Sequence, residues 1–507
     1  MKSLARPLSS WWLAVGLLTL SITGCSKRAE NEPAAEPVIP ESAAPEAATP
    51  ESGTAEPKTA AAEEPAEPTP PVFELDAEAL LAMRLPDAET REGWIRLFDG
   101  HTLYGWQMAG AANWRIEDEQ IVVDGGEPSL LCTSLNWRDY ELRVEFQAEA
   151  ETNSGIFLRS PLVPENPATD CYELNIAPPA NPFPTGSLVG RRKLERDELG
   201  DFDPAAWHTF DVRVEGDTVT VRLDDRELYS WTDPMPLPAG RIALQHNEGR
   251  IAFRNIRLRP LGFRPLFAAA ASDNATEKTE ANEQEATEST EDTENTEDAE
   301  NTEDAEENAT DGEVANGEAA EVETGDDPLA QWKRYPEMEG KFELDAEGNL
   351  HVLGGLGQLE TREEFADFAL LAEVKTAGPK QNSGIFFRCI PGDTLMGYEC
   401  QINNDAIDGN PLRPADCGTG GIFRRQDARI IAADNAEWFT LMLVAHGAEI
   451  SAWVNGLQVC EWRDTREPNE NPRRGRRLEA GTIMLQAHDP GTDVRFRSLR
   501  IAPQQAP

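Results

Sequence analysis

The sequence predicts an all-β protein made of two antiparallel β-sandwiches in tandem. Three observations carry that expectation. Short apolar–polar alternations, such as Tyr140–Phe146 and Thr209–Val214, mark strands with one buried face. Turn signals interrupt them every ten or so residues, and few stretches have a helical period. One pattern is also written twice. Asn153-Ser154-Gly155-Ile156-Phe157-Leu158-Arg159 recurs as Asn382-Ser383-Gly384-Ile385-Phe386-Phe387-Arg388. Tyr172-Glu173 recurs as Tyr398-Glu399, and Trp207 through Trp231 recurs as Trp438 through Trp462. Leu244-Gln245-His246 is matched by Leu485-Gln486, with His488 two places on.

The chain of 507 residues opens with a targeting segment, residues 1–25. Lys2 and Arg6 precede an apolar run from Trp11 to Ile22 that is short for a bilayer span. Ile22-Thr23-Gly24-Cys25 resembles a lipobox, so Cys25 is the expected lipidation site of an exported lipoprotein, the alternative being an ordinary signal peptide with an incidental cysteine. Several acyl chains there would anchor it stably. Ser26 is not an aspartate retention signal, which favours the outer membrane over the inner if the cell is Gram-negative. Residues 26–72, rich in Ala, Glu and Pro, read as a disordered tether. The first sandwich is expected over 73–265, a disordered acidic linker over 266–328, and the second sandwich over 329–507.

Within the first copy, Thr218–Leu223 turns through Asp224-Asp225 into Glu227-Leu228-Tyr229, and Arg250–Leu258 closes the domain. The second copy turns at Asn455-Gly456, a strong hairpin signal, and closes over Asp493–Ile501. Net charge is -46, and the tract from Ala271 to Pro328 carries 23 acids and one lysine, about half of it. Such a chain lacks the cationic surface that nucleic acid requires. Cys132, Cys171, Cys389, Cys400, Cys417 and Cys460 match no zinc spacing, and the sequence reads them as buried thiols or a structural disulfide.

These strings resemble the 3-keto-disaccharide hydrolase family, also described as 3-keto-glucoside lyase and hydratase domains. The resemblance rests on Leu97-Phe98-Asp99-Gly100 through Trp106, on Asn153–Arg159, Tyr172-Glu173, Trp207 and Leu244-Gln245-His246, and on Phe253-Arg254-Asn255-Ile256. In the second copy it rests on Gly397-Tyr398-Glu399-Cys400-Gln401-Ile402, Thr419–Arg425 and Trp453-Val454-Asn455-Gly456. That copy lacks the Leu-Phe-Asp-Gly opening. The resemblance implies concanavalin-like jelly rolls. It also implies an elimination chemistry, in which a ketone at C3 of a sugar acidifies the C2 proton, a base removes it, the C1 oxygen leaves, and water adds back.

Such a site needs a base, an acid for the leaving oxygen and a donor for the enolate. Glu173 and Glu399 are the first candidates. Alternation places Glu399 and Gln401 on one strand face and Tyr398, Cys400 and Ile402 on the other. His246 and His488 are candidate acid/base groups, although their offsets from Gln245 and Gln486 differ by one residue and need a bulge to match. Arg159 and Arg388 fall on the same face as Gly155 and Gly384, so they are expected to bind substrate or to pair with the glutamate. Tyr172, Tyr398, Gln245, Gln401 and Gln486 complete the expected substrate contacts. Arg191, Arg192, Arg424 and Arg425 rim Gly-rich loops, either around a sugar pocket or as ordinary loop charges. No cofactor is predicted. A divalent metal stays open, without H-x-H or H-E-x-x-H spacing to support it. The expected partner is a carbohydrate, and the expected activity is cleavage of 3-keto-glycosides. The alternatives are a non-catalytic glycan-binding lipoprotein and a structural role, and the sequence does not choose an active copy.

Overall fold

The computed structural model describes residues 76–268 and 329–504. The expected targeting segment with Cys25, the expected tether and residues 269–328 of the expected acidic linker lie outside the described residues. Both expected sandwiches are present. In the first, one sheet runs in the order Arg226–Thr232, Thr218–Leu223, His208–Glu215, Tyr140–Ala148, Ile251–Pro260, Gln120–Val123, Arg115–Glu117. The facing sheet runs Trp106–Ala109, Ser129–Thr133, Arg241–Glu248, Asn153–Ser160, Tyr172–Ile176. The second sandwich repeats both orders: its five-stranded sheet is Trp332–Arg334, Gly357–Thr361, Thr482–Ala487, Ser383–Cys389, Tyr398–Ile402. Every strand pair between named strands is antiparallel, and each sheet turns one face into its sandwich core.

The boundary between the copies differs from the one expected at 265–329. Strand Ile95–Arg96 of the first copy pairs with its closing strand, Ile251–Pro260. The same place in the second copy is filled by Arg264–Ala268, which pairs with Asp493–Pro503. Leu266 and Phe267 are buried in the second core, as Leu97 and Phe98 are in the first. One hydrogen bond fixes the equivalence. Trp106 Nε1 donates to Leu97 O at 2.6 Å, and Trp332 Nε1 donates to Leu266 O at 2.9 Å. The opening motif of the second copy is therefore split rather than missing. Leu266-Phe267 stands before the acidic tract and Leu329–Trp332 after it. The chain passes from one sandwich to the other through Leu261-Gly262-Phe263.

Both sandwiches belong to one compact unit. Helix Ala77–Ala82, capped by the Asp76 carboxylate, buries Leu80 in the second core before the chain enters the first. Leu85 N and Arg96 N donate to the carbonyls of Asn455 and Gly456. Trp453, from the second copy, packs 6.1 Å from Trp137 and donates to Arg96 O at 2.9 Å. Asp99 of the Leu-Phe-Asp-Gly motif pairs with Arg429 at 2.8 Å, both nearly buried. The seam thus combines apolar burial with paired charge, which fixes the copies more tightly than a tether would.

Candidate functional site

The site is built on the face of the five-stranded sheet that is turned away from the sandwich core. Strand Tyr172–Ile176 turns Tyr172, Leu174 and Ile176 into the first core, which leaves Glu173 and Asn175 facing outward. Strand Tyr398–Ile402 does the same with Tyr398, Cys400 and Ile402, leaving Glu399 and Gln401. This is the alternation read from the sequence. Neighbouring strands complete the face: Glu173 sits opposite Phe157 and Asn175 opposite Gly155, while Glu399 sits opposite Phe386 and Gln401 opposite Gly384. The conserved spacing of Gly within Asn-Ser-Gly-Ile-Phe between the two copies has a steric reason. A Cβ on Gly384 would lie 3.1 Å from both Cγ and Oε1 of Glu399, and one on Gly155 would lie 3.3 Å from Gln245 Oε1 and 3.6 Å from Glu173 Cγ.

Both glutamates are poorly hydrated. Burial pushes the Glu173 carboxyl up to about 7, with only a hydrogen bond from Gln245 acting against it. Burial likewise pushes Glu399 up to about 7, opposed by the charges of Arg473, His488 and Arg424 and assisted by Asp416. Each carboxyl is thus poised between its acid and base forms at neutral pH. Around Glu399 lies a hollow of about 80 Å³, walled by Phe423, Arg424, Arg425, Pro472 and Arg473. Gln401 Nε2 donates to Asn382 Oδ1 and Asp416 Oδ2, each at 3.2 Å, and leaves its Oε1 unpartnered. Gln486 Oε1 and, in the first copy, Gln245 Oε1 are unpartnered too. Buried amide oxygens without a protein partner are satisfied by water or by the hydroxyl groups of a ligand. A roomier depression, about 410 Å³, lies on the larger sheet of the first copy. Four of its charged wall residues are joined in ion pairs, Arg143–Asp211 and Arg213–Glu141, and it lies on the sheet that does not carry the glutamates.

Other expected site residues fall elsewhere. Arg159 and Arg388 do not reach the glutamates. Each sits at a bulge with φ 48°, where the register slips and the side chain is carried to the end of the sandwich. Arg159 donates to the carbonyls of Arg138, Gly216 and Leu237 and pairs with Asp139 at 2.9 Å. Arg388 does the same with Ala366, Gly447, Arg477 and Asp367. Strict alternation cannot foresee this, because a bulge resets it. Tyr172 and Tyr398 are also structural. Their hydroxyls lie in the core and donate to Asp233 and Asp464, while accepting from Leu237 N and Arg477 N.

The two histidines are not equivalents. His246 is 2% exposed, pairs across to Ser129 and Ser154, and faces the interior; burial depresses its basicity. Its counterpart is the equally buried Ala487, so no bulge restores a match. His488 lies just past that strand, half-exposed, beside Asp489 at 2.9 Å and within electrostatic reach of Glu399. The sequence reading missed Arg473 and Asp416. The available signal was the Pro472-Arg473-Arg474-Gly475-Arg476-Arg477 string, which only the second copy has. Among the described residues no three His, Cys, Asp or Glu side chains converge as a metal site would require. The six described cysteines are free and buried.

With this geometry in view, the comparisons identify the family. Residues 93–259 and 325–502 match the 3-keto-alpha-glucoside-1,2-lyase-like domain. The chain belongs to that family, twice over. Among solved structures it is similar to a "putative glycosyl hydrolase" from Parabacteroides distasonis, 20% identical, covering 35% of this chain and 99% of that one, with a TM-score of 0.32. It is also similar to a carbohydrate-binding module from Bacillus subtilis, 15% identical, covering 31% of this chain and 95% of that one, with a TM-score of 0.22. No curated protein matches. Both lyase-like domains carry the Tyr-Glu strand, and only the second surrounds its glutamate with cations.

Proposed function

We propose that this protein cleaves 3-keto-glycosides by elimination and hydration, with Glu399 as the general base of the better-equipped copy. The observation that supports this most is a buried carboxyl poised near 7, on the sheet face turned away from the core, walled by a small hollow and beside unpartnered amides. Glu399 takes the proton from C2, and the electrons of that C–H bond pass into the enolate of the C3 ketone. Arg473, the strongest cationic influence on Glu399, faces the developing negative charge. The enolate then collapses, C1=C2 forms, and the C1–O bond breaks. His488 supplies the proton to the departing oxygen. Water adds its oxygen at C1 and a proton at C2, which releases the free 3-keto sugar. Gln401 and Gln486 orient the ring hydroxyls.

The experiment is turnover of a chromogenic 3-keto-glucoside by the full chain and by Glu399→Gln and Glu173→Gln. Loss in Glu399→Gln supports the elimination. Saturable sugar binding without turnover, unaffected by either change, leaves a glycan-binding protein instead. Export and lipid anchoring at the outer membrane through Cys25 belong to the same reading. Acyl-chain labelling that persists in Cys25→Ser would overturn that part.

A further inference from the structure

The hollow beside Glu399 holds more positive charge than an enolate needs. Arg473 answers the enolate, which leaves Arg424 and Arg425. Neither has an ion-pair partner among the described residues. Arg425 spends its donors on the carbonyls of Arg424 and Arg473, and Arg424 lies exposed over the Phe423 ring, 5.1 Å from its centroid. This occurs in a chain of net charge -46, where most arginines near an acid are paired with one.

The first copy supplies the control. Val189 N donates to Glu173 O as Phe423 N donates to Glu399 O, each at 2.9 Å, so the next residues correspond: Gly190 to Arg424 and Arg191 to Arg425. Gly190 has φ 74° and Arg424 has φ 59°. The second copy therefore accepts a left-handed arginine where glycine is the easy choice. Arg191 is neutralised by Asp233 at 2.9 Å. The matching Asp464 is instead taken by Arg466 at 2.7 Å, which leaves Arg425 uncompensated. Arg466 and Arg473 lie in a loop ten residues longer than its counterpart, between Asp464 and Gly481 rather than Asp233 and Gly240. Insertion and substitution thus converge on one edge of one hollow.

We infer that the second copy takes acidic glycosides, whose carboxylate or sulfate is held by Arg424 and Arg425 beside Glu399. The inference rests on reading that hollow as the sugar site. Planar guanidinium forks suit both anions, and a permanent ligand charge supplies the counterion that the protein withholds.

The test is calorimetric titration of the full chain with glucuronosyl-glucose, glucose 6-sulfate, cellobiose and inorganic sulfate, repeated with Arg424→Gly and Arg425→Gln. The glycine variant installs what the first copy already has at that backbone angle, so it is expected to fold. An acidic sugar should bind at least about tenfold more tightly than cellobiose, and either substitution should narrow that ratio by about tenfold. Preference for the carboxylate or the sulfated probe names the anion. Equal binding of acidic and neutral sugars overturns the inference. So does inorganic sulfate binding as tightly as either sugar, or an acid preference that survives both substitutions. The two readings fail separately. Turnover of a neutral 3-keto-glucoside through Glu399 without acid preference sinks this one alone. Acid preference with turnover indifferent to Glu399→Gln sinks the elimination alone.

Discussion

Glu173 and Glu399 occupy the same strand position in two copies of one fold, yet they are balanced differently. Burial dominates at both, and both arrive at about 7. Glu173 gets there against one hydrogen bond from Gln245. Glu399 gets there with three cations pulling it down and Asp416 pushing back. Equal acidity thus conceals unequal equipment. The first site is a poised carboxyl against an apolar patch of Phe157, Cys132, Cys171 and Ala243. The second sets a poised carboxyl beside His488 and guanidinium groups. The difference teaches that the two copies share the carboxyl and its steric niche, while only the second sets cationic groups around it.

The sharpest way to break this comparison is to remove each base. Glu399→Gln is expected to lower turnover of a 3-keto-glucoside by about 10²–10⁴-fold, the range of a lost general base, and Glu173→Gln by far less. Equal losses would show that the extra cations are not what makes a copy active. Next in size is the common frame. Arg159→Met and Arg388→Met each strand carbonyls and an aspartate that the guanidinium now satisfies. Each should destabilise the fold by about 3–5 kcal/mol in denaturant titrations. A marked difference between them would mean the frame is not shared.

Proton linkage gives a third contrast. The folded carboxyls lie near 7 and the unfolded ones near 4.5. Between those values the native state holds protons that the unfolded chain has released, so stability falls as pH rises through that window. Each site contributes at most about 3 kcal/mol to that fall, and each Glu→Gln variant should flatten its share of the curve. The base form follows the opposite slope, so the limb of the turnover profile set by Glu399 should rise with pH through about 7, and the need for a protonated donor should bring turnover down again at higher pH. Arg424→Gly removes a charge that favours ionised Glu399, so it should move that rise to higher pH; Arg425→Gln serves as the comparison.

Much of this was legible in the sequence. Period-two alternation set Glu399 and Gln401 on one strand face and Tyr398 on the other, because side-chain direction in a regular strand is a matter of counting; it did not tell which face is the core, and Tyr398, expected to touch substrate, is tied to Asp464 instead. Counting fails where the backbone departs from regularity. The bulges at Arg159 and Arg388 moved two expected ligands into structural positions, and no local residue type announces them. His246 and His488 were matched by neighbourhood rather than by register, and the register separates them. The split opening motif escaped because its halves stand about sixty residues apart, although Trp332 was its visible marker. Arg473 escaped because it lies in an insertion, with no partner in the first copy to set it beside.

The smallest effect discriminates most finely between the niches. A methyl on Gly384 would meet Glu399 itself, at 3.1 Å from Cγ and Oε1. The far end of a side chain can yield, so Gly384→Ala should cost at most about 1 kcal/mol of stability. The carboxylate would be displaced from its reacting position, and turnover should fall about tenfold, because small misplacements weigh heavily on proton transfer. A methyl on Gly155 meets the carbonyl of Leu174 at 3.0 Å first, with Glu173 Cγ at 3.6 Å. Backbone cannot swing aside, so Gly155→Ala should cost about 1–3 kcal/mol of stability. Its effect on turnover should be smaller than that of Gly384→Ala. Thermal midpoints and turnover measured on the same preparations separate the two. If Gly384→Ala lost stability but kept full turnover, the position of Glu399 in its niche would not matter to the reaction, and the glycine would serve packing alone.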